Sequence, residues 1–222
     1  MEFEKIVEII ESRREFLKKS DEEILVRDFG AGKPEDNRTK EQMEEGVEVR
    51  IPLKNLASIG VKREKAEQIF NIFQRLNPKN ILELGACCGF SSAYFSYFAK
   101  DSRIITLEGS ENLAKIAREN HRFFGVKNVE VRVGRFDLSL PLVLKEYSPF
   151  DFVFIDGHHN KEATLGYFKQ ILPFVKTLGG GGVMLFDDIA WSDGMREAWS
   201  EILSSRAHKK AEDFGWMGAL WL

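Results

Sequence analysis

The chain has 222 residues, 43% of them hydrophobic and 30% charged, with a formal net charge of −3. That is room for one well-packed domain with an appendage. The balance of charge gives no footprint for nucleic acid. The only cysteines, Cys87 and Cys88, are adjacent, which excludes a disulfide framework and zinc-finger spacing. No apolar run approaches the ~20 residues of a membrane span, and the charged start MEFEKIVEII is unlike a secretory leader. The expectation is a cytoplasmic protein with no membrane and no nucleic-acid partner, its core rich in the 18 Phe.

Residues 2–19 place Phe3, Ile6, Val7, Ile10 and Phe16/Leu17 at helical spacing. This amphipathic helix must bury its stripe, either on the main domain or in a homodimer contact. Residues 27–48, polar and glycine-bearing, read as a loop that includes the Asp28-Phe29-Gly30 triplet. PLKNLASIG, 52–60, reads as a short helix with proline in its first turn and glycine at its end. Val61–Leu76 is a second helix, with Ala66, Ile69, Phe70, Ile72, Phe73 and Leu76 inward, stopped by Asn77-Pro78.

From residue 80 strand and helix alternate. Strands fall at 80–84, 103–108, 128–133, 150–156 and 182–187, and helices at about 91–100, 110–124, 139–147 and 161–176. Ser192 caps a last helix to about Ser205, and 208–222 forms a hairpin turning at Gly215. Runs as apolar as FDFVFI need cover on both faces. The fold expected is α/β: a doubly wound, mostly parallel, seven-stranded, Rossmann-like sheet with its last strand antiparallel. Residues 61–222 would form that domain and residues 1–60 an N-terminal helical extension or cap with a charged loop.

The most informative stretch is ILELGACCGFS, Ile81–Ser91: a buried strand, a glycine turn and a helix opening at Ser91. This is how α/β folds hold a nucleotide-like cofactor at a strand's carboxyl end. The loop is G-x-x-x-G, from Gly85 to Gly89, and an acid, Glu83, lies two residues before it. A pyrophosphate has no use for an anion there, whereas a cofactor with a positive amino group does. That points to S-adenosylmethionine, with Glu83 balancing its ammonium. Glu108, 23 residues beyond Gly85 and followed by Gly109, suits a ribose; read blandly, it is a solvated acid. Gly134-Arg135-Phe136-Asp137 ends the third strand, where Asp137 can accept from an adenine amino group with Phe136 against the ring. Asp is also common in turns.

The fourth strand ends in Asp156-Gly157-His158-His159 and the fifth in Asp187-Asp188. Neighbouring strands about 4.8 Å apart bring the three acids together beside the cofactor. They repel unless some protonate or a cation binds, and oxygen ligands suit Mg²⁺, Mn²⁺ or Ca²⁺. Alternatively one aspartate caps the next helix and another pairs with a lysine. His158 and His159 are candidates for a base, His158 slightly preferred, and one of them can instead ligate the metal. Cys87 and Cys88 read as small residues packed in a tight turn. Trp199 reads as core and Trp191 as a wall of the acceptor pocket.

Together, the E-L-G-x-x-x-G loop, Glu108, Gly134–Asp137, Asp156-Gly157-His158 and Asp187-Asp188 resemble a class I S-adenosylmethionine-dependent methyltransferase. Within that superfamily, residues 78–222 are similar to small catechol-type and macrocin-type O-methyltransferases. The resemblance implies that Glu83, Gly85 and Gly89 hold the methionine part, Glu108 the ribose, Phe136 and Asp137 the adenine region, and Asp156, Asp187 and Asp188 a divalent cation. It implies transfer of a methyl group to a small-molecule hydroxyl. Two departures stand out. His159 occupies the position of a catechol-type lysine, and His158 that of a second macrocin-type aspartate. Asp188 stands where catechol-type enzymes tend to have Asn. The rival readings are a NAD-type oxidoreductase, allowed by Glu108 but opposed by the missing third glycine and by Glu83, and a cofactor-binding module without chemistry.

Overall fold

In the computed structural model, residues 1–32, 36, 38–177 and 181–222 are described. The main sheet has seven strands: β3 (Asn80–Leu84), β4 (Arg103–Glu108), β5 (Val129–Val133), β6 (Phe152–Ile155), β7 (Val183–Phe186), β8 (Lys210–Asp213) and β9 (Gly218–Trp221). Their order is β5-β4-β3-β6-β7-β9-β8. The first five run parallel, and β9 lies antiparallel to both β7 and β8. This is the sheet expected from the sequence, with strand ends shifted by a residue or two.

Alternation along the strands sorts side chains into two cores. Ile81, Ile104, Phe152, Phe154, Val183 and Leu185 face one side. Leu82, Leu84, Ile105, Leu107, Val153, Ile155, Met184 and Phe186 face the other. The first side is covered by α1 (Phe3–Leu17), α4 (Arg63–Leu76) and α5 (Phe90–Phe98), and the second by α7 (Phe136–Tyr147), α8 (Lys161–Ile171) and α9 (Asp193–Ser204). Phenylalanines fill the first core: Phe73 and Phe95 meet Phe152 at 4.8 and 5.7 Å between centroids, mostly edge-on, as aromatic quadrupoles prefer. Trp199 is buried against Phe186, in the core as expected.

The connections follow the sequence closely. Asn77, in the left-handed conformation, ends α4. Ser192 caps α9 by accepting from the Met195 amide. The expected helix over 161–176 ends at Ile171 and passes into a 3₁₀ turn containing Pro173. Phe136 and Asp137 are not loop residues: they open α7, so Asp137 lies in a helix's first turn.

The N-terminal region needs a correction. The loop expected over 27–48 contains the end of β1 (Glu23–Asp28), α2 (Lys40–Glu45) and the start of β2 (Val47–Pro52), though part of it lies outside the described residues. β1 and β2 form a separate antiparallel pair, with Leu25 opposite Arg50 and Val26 opposite Val49. The alternation of Val47, Val49 and Ile51 with Glu48 and Arg50 is the signal; local charge masked it. The pair sits on the amino end of α6 (Glu111–Phe123), where the Asn112 side chain donates to the Leu25 carbonyl at 2.7 Å. α1 lays its stripe on α4 and α5 within the same chain. Arg14 is fully buried there and donates to the Ala57, Ile59 and Val61 carbonyls, just past the short helix α3 (Leu53–Leu56).

Candidate active site

Progress along the sheet reverses between β3 and β6, so the chain leaving β3 turns to one face of the sheet and the chain leaving β6 to the other, which leaves a crevice. Gly85 makes that crevice possible. It has φ +103°, and a Cβ there would lie 1.9 Å from the Asp156 carbonyl oxygen. Only glycine lets the two strand ends approach so closely. Its amide and that of Ala86 both donate to the Leu107 carbonyl, which fastens the loop to β4. Gly89, at φ +75°, opens α5 against Ala117 of α6 with no room for a side chain.

Glu108 ends β4 with its carboxylate anchored by backbone. One oxygen accepts from the Cys87 amide at 2.8 Å and the other from the Ser110 amide at 2.9 Å. Burial raises its pKa, and these amides oppose the rise. Cys87 lines the cavity and packs against the core, in which Cys88 is buried.

Glu83 behaves differently. It is fully buried on the α5 side, opposite Thr106 in the β3–β4 register. Neither carboxylate oxygen makes a hydrogen bond, although the hydroxyls of Ser91, Thr106 and Ser92 surround it. Burial pushes its pKa up to about 7, with those hydroxyls opposing. The residues lining the cavity do not include Glu83, Gly89 or Ser91.

On the β5 side Arg135 holds Asp137 through two hydrogen bonds, at 3.0 and 2.6 Å. The Phe136 ring stands edge-on to His158 and Tyr167, and the Tyr167 hydroxyl is 2.7 Å from His158 Nδ1. Burial, then the neighbouring His159, lowers the His158 pKa. Phe29, past the end of β1, packs so tightly on Gly109 that a Cβ there would sit 2.6 Å from its ring. Asp28 pairs with Arg38 at 2.7 Å.

At the ends of β6 and β7 the acids converge as expected. Burial, then the charges of Asp187 and Asp188, holds the Asp156 carboxyl well above the usual range, and Lys65 of α4 opposes this. Lys65 Nζ lies 2.6 and 2.7 Å from the two oxygens of Asp187 and 3.3 Å from Asp188 Oδ1. The His159 ring stands between two carboxylates, with Nε2 3.8 Å from Asp156 and Nδ1 3.8 Å from Asp188. His158, His159 and Asp188 have φ of 68°, 46° and 53°. Left-handed backbone is costly for residues with side chains and tends to gather at functional sites.

The strand ends from β4 to β7 open onto one cavity of about 1170 Å³. Gly85, Glu108, Gly109, Arg135, Phe136, Asp137, Asp156, His158, His159, Asp187 and Asp188 line it, and Trp191 forms part of its wall. Known proteins resemble the chain over this region. A methyltransferase-domain family model matches residues 82–189, from β3 to just past β7. A pig catechol O-methyltransferase is 33% identical over 133 residues, covering 58% of this chain and 70% of that protein. The chain belongs to the class I S-adenosylmethionine-dependent methyltransferases.

A catechol O-methyltransferase of Niastella koreensis is 30% identical over 142 residues, 63% of this chain and 62% of that protein. The chain thus spans about six-tenths of the length of the first curated relatives it matches. The solved structure of an O-methyltransferase from Bacillus cereus in complex with SAH superposes with a TM-score of 0.65 at 27% identity, covering 76% of this chain and 85% of that one. Membership of this methyltransferase family displaces the dinucleotide-oxidoreductase reading. The residues sequence reasoning missed are Lys65, Tyr167, Asp28 and Phe29. Lys65 and Tyr167 sit on amphipathic helices, where a lysine reads as solvated face and a tyrosine as core.

The chain's own residues fit both groups that the methyltransferase family implies. For the donor, the cavity is ample, and Glu108 faces it with backbone partners already in place. For a divalent cation, one ligand atom each from Asp156, His159 and Asp188 lie within 4.8 Å of one another. Three acids meet there with one lysine, which leaves negative charge to neutralise.

Proposed function

We propose that the protein transfers the methyl group of S-adenosylmethionine to a hydroxyl of a small molecule, with a divalent cation assisting. The observation that carries this reading is the division of one cavity, with a backbone-anchored Glu108 at one end and the cluster of Asp156, Asp187 and Asp188 at the other.

At the donor end Glu108 accepts from the ribose hydroxyls with its remaining lone pairs, and the tight packing of Gly85 brings the donor close to β6. Gly89 and Ser91 shape the helix opening behind the loop. Glu83 is the carboxylate assigned to the donor's ammonium, and it acts from beneath the loop. Phe136, with Arg135 and Asp137 beside it and Phe29 on Gly109, walls the adenine region. At the acceptor end Asp156, Asp187 and Asp188 would hold the cation, preferentially Mg²⁺ or Mn²⁺. A divalent cation bound there lowers the pKa of an acceptor hydroxyl. His158 takes the released proton: burial keeps its ring neutral near pH 7, and Tyr167 fixes its orientation at Nδ1. The new O–C bond then forms as the S–C bond breaks. Holding the two partners in line accounts for much of the rate.

The test is calorimetric titration with S-adenosylmethionine, with and without Mg²⁺, followed by a screen of catechol-type and isolated hydroxyl acceptors for S-adenosylhomocysteine release. Binding of the donor together with metal-stimulated turnover is expected. Tight binding of NAD with none of S-adenosylmethionine would overturn the proposal.

A further inference from the structure

Behind the glycine loop the last turns of α6 carry two buried polar side chains, Asn120 and His121, where an apolar residue would need no partners. Asn120 donates from Nδ2 to the Cys88 carbonyl at 2.8 Å. The His121 Nε2 lies 3.2 Å from the Gly89 carbonyl oxygen and 3.0 Å from Ser92 Oγ. Burial lowers the His121 pKa to about 4, so the ring is neutral. A carbonyl only accepts, which assigns the ring proton to Nε2. The approach is close: a Cβ on Gly89 would lie 2.7 Å from that nitrogen. On its other side Asn120 accepts at Oδ1 from Arg13 Nε, at 3.0 Å. The Arg13 guanidinium in turn stands 5.2 Å from the Phe16 ring centre and 4.6 Å from that of Phe123, which accounts for these two exposed phenylalanines.

Resting on the function proposed above, we propose that Asn120 and His121 are positioning residues for the donor loop, and that Arg13 extends their hold to helix α1. The loop's amides at Gly85, Ala86 and Cys87 are fixed on the β4 side, to Leu107 and Glu108. Its carbonyls at Cys88 and Gly89 are fixed on the α6 side, by Asn120 and His121. With both sides tied, the peptide planes that meet the methionine part of the donor are set before it arrives. Binding then does not have to order them. Arg13, Asn120 and His121 are not among the residues lining the cavity, so each acts through the main chain of the loop. Helix α1 is thereby part of the support of the donor end as well as a cover for the core.

The test compares His121→Leu with His121→Gln, whose amide can donate where Nε2 does, and Arg13→Met with Arg13→Lys. In calorimetric titration of the full chain, His121→Leu should bind S-adenosylmethionine about tenfold more weakly, the scale of one lost hydrogen bond. Arg13→Met should bind it about threefold more weakly. His121→Gln and Arg13→Lys should recover most of each loss. Amide hydrogen exchange of the donor-free protein supplies a second readout. The Gly89 amide, bonded to Ala86, and the Ala93 amide, bonded to Gly89, should quicken by a larger factor in His121→Leu and Arg13→Met than the amides of β6 and β7. A merely structural role would quicken exchange evenly and leave donor affinity alone. Unchanged affinity and loop exchange in either variant overturn the inference, and so does even quickening or the failure of the conservative variants to recover. Arg13 is only half-buried, so its two variants decide the matter if His121→Leu does not fold. If the unmodified protein does not bind S-adenosylmethionine, the methyl-transfer reading falls, and loop exchange alone decides this inference.

Discussion

The two ends of the cavity are built by different means. At the donor end the chain adopts left-handed backbone mostly where it has glycine, at Gly85 and Gly89, with Cys87 the exception at φ 47°. The contacts there come from main chain: the Gly85 and Ala86 amides on Leu107, and the Cys87 and Ser110 amides on Glu108. At the acceptor end His158, His159 and Asp188 adopt left-handed backbone with full side chains, each at a cost of about 1–3 kcal/mol. That end needs imidazole and carboxylate groups and cannot substitute glycine. The donor end is therefore a matter of clearance, and the acceptor end a matter of charge and strain.

The largest expected effect joins the two ends. Gly85→Ala forces a Cβ to within 1.9 Å of the Asp156 carbonyl at φ +103°. β3 and β6 must then separate, with a loss of about 4 kcal/mol or more, in the range reserved for core and backbone clashes. Thermal unfolding should show the loss, and binding of both S-adenosylmethionine and Mn²⁺ should weaken together. Gly125→Ala is the control. Gly125 also has positive φ, +68°, but a Cβ there meets nothing within 4 Å, so it should cost only about 1–2 kcal/mol. Equal losses at the two positions would mean that conformation, and not the approach of β3 to β6, governs Gly85.

Next comes a change that should separate the ends. Glu108→Gln replaces one carboxylate oxygen with an amide group that faces the Cys87 or Ser110 amide, donor against donor. It also removes charge from the ribose position. Hydrogen bonds to charged groups contribute about 1.5–3 kcal/mol, so affinity for S-adenosylmethionine should fall roughly ten- to hundredfold. Mn²⁺ affinity measured without donor should not move. A parallel loss of metal binding would show that the ends are not independent.

The sequence made this division partly visible. The donor end was legible because its requirement is local: a strand, two glycines and a helix within Ile81–Ser91. Topology made Glu108 and Asp156 legible as well, since strand ends in a parallel sheet share one edge. What escaped depended on contacts distant in sequence. Lys65 meets Asp187 across 122 positions, and nothing local in α4 marks that lysine off from its neighbours. The β1–β2 pair escaped for another reason: its alternation was present, but charged residues outnumber apolar ones around it, and burial on one face was not apparent. His121, which packs on Gly89 and Ser92, likewise belongs to a contact that spacing does not reveal.

Glu83 offers the smallest effect and the finest test, because it belongs to the donor loop by sequence yet lies beneath it in space. Its folded pKa is about 7, raised mainly by burial. A raised value means that the folded state holds its proton more tightly than the unfolded chain. Stability from this group is complete below the unfolded value near 4.5 and declines as pH rises towards 7. The pH-dependent part is at most about 3 kcal/mol. Glu83→Gln removes the charge but keeps an amide that still seeks partners among Ser91, Ser92 and Thr106, so a net gain of about 1 kcal/mol at pH 8 is expected. The variant's unfolding temperature should rise at pH 8 and change less between pH 4.5 and 7 than that of the unmodified protein. Donor affinity decides the rest. A carboxylate that serves the ammonium from beneath the loop should weaken S-adenosylmethionine binding when neutralised, even as the fold grows more stable. Unchanged affinity would make Glu83 an internal acid alone and leave recognition of the donor's amino group to the main chain of the glycine loop.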